Sequence, residues 1–107
     1  LREQDEERRV TIIVTKINQT FFKCVDYIRE KAPNDRQKGK FVGSEITKML
    51  GEIDQYGFMN GDQSEQIQFS KDLIEIIMIV TETRINVEPL RNDPERTMRF
   101  ILEMREL

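Results

Sequence analysis

The chain of 107 residues has no histidine, no tryptophan and one cysteine. Without histidine it lacks the commonest general base, metal ligand and pH switch at once. A single cysteine, Cys24, excludes an intrachain disulfide and a zinc site built from cysteines. Cys24 falls on an apolar stripe, which predicts a small buried hydrophobe rather than a reactive thiol. Prolines number three and glycines five, so breaks in regular structure should be few. The longest apolar run, LIEIIMIV, spans eight residues with Glu75 inside it, far short of a membrane span. No secretory leader is visible, and the chain begins at Leu1 rather than Met. The expectation is a piece of a longer intracellular protein, cytoplasmic or nuclear, with no membrane partner. The sequon Asn18-Gln19-Thr20 lies inside a predicted helix and reads as chance.

Charge and aliphatic residues fill the rest. Charged residues make up 35% and apolar ones 37%, a balance that suits a small helical domain better than a disordered chain. The net charge of -3 is unevenly spread. Residues 29–40 hold five basic side chains against two acidic ones, and residues 44–75 hold seven acidic against two basic. Without an overall basic balance, nucleic acid is a partner to consider but not the favoured one.

Periodicity predicts an all-α fold, a compact bundle of four to five helices forming one domain over 1–107. Val10, Val14, Ile17, Phe21, Cys24 and Ile28 follow at alternating steps of four and three, the stripe of a first helix ending near Lys31 at Pro33. Residues 1–9 form a charged N-terminal extension of it. Under three heptads long, the stripe reads as a bundle face rather than an extended coiled coil. PNDRQKGK reads as a polar loop. A second helix is expected within 41–56, with Ser44 as N-cap and Gly57 closing it. Asn60-Gly61 marks a turn. Asp62 and Glu65 then suggest a capping box opening a third helix over 63–84, apolar on nearly all sides and therefore expected at the centre. Asp93-Pro94-Glu95 opens a fourth. The alternative is an α+β fold with a short strand near 80–87, because that segment is rich in Ile, Val and Thr.

No catalytic residue, metal ligand or cofactor site stands out. Asp62 to Glu65 lacks the alternating positions of a calcium loop, and no nucleophile–base pair is in view. The candidate contacts are apolar. Ile12 and Phe22 stand opposite the first helix's stripe with Tyr27 to the side, and form either a second face for a partner or a surface the bundle encloses. Phe58 and Met59 flank the Asn-Gly turn, and either tuck under the bundle or anchor a partner. Arg36, Lys38 and Lys40 are the candidate phosphate or nucleic-acid contacts. The closing stretch RTMRFILEMREL, Arg96 to Leu107, resembles the last helix of MIF4G-type domains. Those are helical-hairpin scaffolds of translation and RNA processing. The likeness covers twelve residues, rests on Arg99-Phe100 and Glu103, and carries no functional residue across.

The expected function is a non-enzymatic protein-interaction or scaffold domain. Its partner would be another protein, a second copy included, met through the first helix. The alternatives are a nucleic-acid-binding module using 36–40 and a helical-repeat scaffold of RNA metabolism.

Overall fold

The computed structural model describes residues 2–107. Its backbone is built from four helices: α1 (Arg2–Lys31), α2 (Asp35–Asp54), α3 (Gln63–Thr83) and α4 (Pro94–Arg105). Short 3-10 turns at Phe58–Gly61 and Glu88–Leu90 join α2 to α3 and α3 to α4. The fold is all-helical, and no strand forms among the described residues. The β-rich stretch before Val87 stays helical to Thr83, and Arg84 closes α3 in the left-handed conformation at φ 57.

Contacts between helices set their directions. Lys16 pairs with Glu52 and Lys23 with Glu45, so α1 and α2 run antiparallel. Arg29 near the end of α1 donates to the Val80 and Ile85 carbonyls, so α3 runs with α1. Asp26 meets Arg91 and Asn18 meets Thr97, so α4 descends along α1. The bundle is up-down-up-down, with α1 and α3 touching across the diagonal and α2 and α4 on either side.

The predicted stripe of α1 enters the core from Ile17 to Ile28, while Val14 is half-buried and Val10, near the projecting end, is exposed. Ile17, Phe21 and Cys24 are fully enclosed with Val25, and they meet Val42, Ile46 and Ile53 of α2, and Phe69, Leu73 and Ile77 of α3, in one cluster. Each such side chain contributes roughly 1.5–3 kcal/mol by leaving water. At 1.5 Å per residue the 30 residues of α1 reach about 45 Å, nearly the 47 Å length of the molecule. α2 and α3 span about two thirds of that, so the first turns of α1 project beyond the bundle. Arg2 to Arg8 are exposed, while Leu1 lies outside the described residues. Arg9 is the first residue to dock, its Nη1 donating to the Tyr56 carbonyl at 3.0 Å.

Three expectations need correction. PNDRQKGK is not a loop. Asn34 caps α2 in a reciprocal box, its side chain accepting from the Gln37 amide at 2.9 Å while the Gln37 side chain accepts from the Asn34 amide at 3.1 Å. The helix therefore begins at Asp35, six residues before the expected limit, and Ser44 lies inside it. The box before α3 is half formed. Asp62 accepts from the Ser64 and Glu65 amides, but its own amide turns back to the Met59 carbonyl at 3.0 Å. Nor is α3 the shielded helix. Ile67 is 55% exposed and Ile79 37%, so its all-round apolar character leaves two stripes facing out.

Candidate interaction surface

The structure divides the five apolar candidates. Phe22 is buried, with its ring edge-on to Phe21 and the Arg91 guanidinium lying 4.6 Å over its face. Arg91 in turn reaches Asp26 with two hydrogen bonds of 2.8 and 2.9 Å and pairs with Glu88. Phe22 is thus sealed by the turn before α4 and is not available to a partner. Phe58 is also in the core, edge-on to Phe69. Met59 is half-buried against that core in a left-handed turn at φ 51, as one of the two readings held. Tyr27 is half-buried and stacked on Phe41, ring centres 3.9 Å apart. Ile12 is half-buried on the outer side of α1. Of the face expected on the first helix, Phe22 is spent on packing the turn before α4.

The basic trio is split as well, because it lies on a helix. At about 100° per residue, Arg36 and Lys40 share the outer side of α2 while Lys38 faces the opposite way. Lys38 lines a cleft with Arg29, Arg84 and Pro33, at 3.8 Å from Asp35. Arg29 is engaged there in capping the carbonyl end of α3.

Buried polar groups are structural. Asn18 Nδ2 donates to the Leu90 carbonyl at 3.1 Å and to Thr97 Oγ1 at 2.8 Å. The nitrogen a glycan would need is therefore occupied, in accord with the sequon's chance reading. Cys24 is fully enclosed, and burial, with Glu45 adding to it, pushes its thiol up to about 12. No group of three metal-binding side chains occurs among the described residues. No helix among them is long and apolar enough to cross a membrane.

Grooves remain between neighbouring helices. Between α1 and α2 the walls are laced by the Lys16–Glu52 and Lys23–Glu45 pairs. Between α3 and α4, Ile76, Ile79 and Met104 form an apolar floor, but Arg105 crosses it, pairing with Asp72 at 2.8 Å and lying 5.4 Å over the Phe69 ring. Burial alone would raise the Asp72 carboxyl; hydrogen bonds from Arg105 and Gln68 outweigh it and hold the carboxyl low.

The groove between α2 and α3 differs. Thr47, Leu50, Gly51 and Asp54 line one side, Ile67 and Lys71 the other. No ion pair among the described residues crosses it. Asp54 is held at its end by Gln66, whose Nε2 donates to Oδ1 at 2.8 Å. Two residues of the α2 wall, Thr47 and Gly51, are small and belong to a line that runs along the helix beyond the groove. Gly39, Gly43, Thr47 and Gly51 recur every four positions. A methyl group added at any of the three glycines would meet no atom within 4 Å beyond the helix's own backbone. Each glycine costs about 0.5–1 kcal/mol relative to alanine inside a helix, and packing within this chain does not require them. Sequence reasoning missed this surface because reading 34–40 as a loop hid Gly39 and the start of the four-residue spacing.

Comparison of the chain with family models, curated proteins and solved structures finds no match in any of the three.

Proposed function

We propose that this chain is a non-enzymatic protein-interaction domain, acting inside the cell, that receives a partner helix in the groove between α2 and α3. The observation that carries the reading is the open wall of that groove. Leu50 and the exposed Ile67 offer apolar surface beside a line of small residues that fill nothing in the chain. Grooves between two helices accept an amphipathic third helix by burying its apolar stripe. Small residues let the two backbones approach closely. The interface thus moves from the first helix, where it was expected, to the second and third. Burying Ile67 on binding would contribute roughly 1–2 kcal/mol.

The test uses the domain and its Ile67→Glu variant as baits side by side, with circular dichroism confirming that both are folded. A protein held by the first and lost by the second supports the reading. Equal capture by both, or by neither, sinks it.

The second reading, a nucleic-acid-binding module, draws on the cleft where Lys38, Arg29 and Arg84 converge from three helices. A salt-dependent shift on RNA, lost when Lys38 and Arg84 are reversed, would favour it. A helical-repeat scaffold of RNA metabolism has only the likeness of the last helix behind it.

A further inference from the structure

Along the outer face of α2, Lys40, Gly43, Thr47, Gly51 and Asp54 follow at steps of three, four, four and three. That spacing is the same read from either end, and Thr47 is its midpoint. The two ends carry opposite charge, and Arg36, one turn before Lys40, strengthens the positive one. We propose that the occupant of this face is a second copy of the chain, with the two α2 helices antiparallel across a twofold axis at Thr47. The proposal rests on the reading of the α2–α3 groove as a docking surface and names what docks.

Self-complementarity is what a twofold interface demands, since the same patch must serve both sides. An axis at Thr47 sets Gly43 of one copy against Gly51 of the other, so small residue meets small residue where the helices cross. It sets Lys40 of each copy against Asp54 of its mate. Within one chain those two are 14 residues apart, about 21 Å along the helix, and cannot meet. Neither Arg36 nor Lys40 has an acidic partner among the described residues. Asp54 has no cation, only the amides of Gln66 and Gln63 on one of its two oxygens. Leu50 and Ile67 border the stripe and extend the contact with apolar surface. The α1–α2 and α3–α4 grooves lack this match, because ion pairs within the chain already cross them.

Sedimentation equilibrium on the whole chain, from micromolar to millimolar, tests the proposal. The expected result is a monomer–dimer equilibrium that weakens as salt is raised. Lys40→Glu and Asp54→Lys should each weaken dimerisation about tenfold, since each replaces two attractions by two repulsions. The double variant should restore it. Gly43→Ala with Gly51→Ala should raise the thermal midpoint of the monomer yet weaken the dimer, opposite directions that a purely structural role cannot produce. A monomer at every concentration overturns the proposal, as does a double reversal that fails to recover. If the chain stays monomeric while Ile67→Glu still loses a captured protein, self-association falls and the docking reading stands.

Discussion

The Arg91 guanidinium is sandwiched between the Phe22 ring, 4.6 Å from its centre, and the carboxylate of Asp26, which it grips through two nitrogens. One side chain thereby ties the turn before α4 to the middle of α1. Arg91→Ala removes the cation from the ring and the cover from Phe22, at an expected cost of about 1–3 kcal/mol. Urea unfolding followed by circular dichroism would show the lower midpoint. The Arg91 hydrogen bonds hold the Asp26 carboxyl below its ordinary range. A carboxyl lowered in the native state stabilises above its unfolded value, and that contribution is lost as pH falls through the native one. Acid sensitivity should therefore be smaller in Asp26→Asn than in the parent chain.

Asn18 is a buried polar residue that ties α1 to α4 and to the turn before it. Asn18→Leu would remove two hydrogen bonds from the core, those its amide donates to the Leu90 carbonyl and to the Thr97 hydroxyl, although both acceptors keep partners within their own segment. A loss of about 1–3 kcal/mol is expected. Thr97→Val should also cost stability, and the double variant should lose less than the sum of the two, because the Asn18–Thr97 bond is removed only once.

Cys24 supplies a prediction at the alkaline end. Its thiol rises from the 9.0 of a free cysteine to about 12 in the fold. The unfolded chain therefore releases that proton first, and stability should fall as pH climbs from 9 towards 12. Cys24→Ala should flatten the slope over that range, measured as urea midpoint against pH. A disulfide reagent at neutral pH should label the native thiol no faster than the chain unfolds.

Ala32 ends α1 at φ 46, a left-handed conformation that is costly for any residue with a side chain. Ala32→Gly should raise stability by about 0.5–1 kcal/mol, because strain relief exceeds the added chain entropy. A thermal midpoint below that of the parent would contradict this.

The alternating stripe of α1 was legible because burial imposes its period directly, and Ile17, Phe21 and Cys24 are where that period puts them. The caps at Asp62 and Asp93 were legible because capping is local chemistry. Asn34 and Gln37 follow the same chemistry, but residues 34–40 carry no apolar side chain and include Gly39, so no helical period marks them. Phe22 was left open between partner and bundle for a different reason. Its neighbour Arg91 lies 69 residues away along the chain, and no local pattern announces a cation that will roof an aromatic ring. The open side of α2 was hidden because spacing shows which residues share a face but not whether another helix covers it.

The Asn18–Thr97 hydrogen bond also bears on how the bundle moves. It works as a detent for the last helix. Sliding α4 by one turn along α1 would carry Thr97 about 5 Å from Asn18 and leave the buried Asn18 amide without that partner in an apolar wall. Small axial creep is therefore forbidden, and α4 has only two states open to it, seated or released. The amides of its inner turns should exchange with solvent as a single set, at one rate, and that rate should rise sharply once Asn18 is replaced.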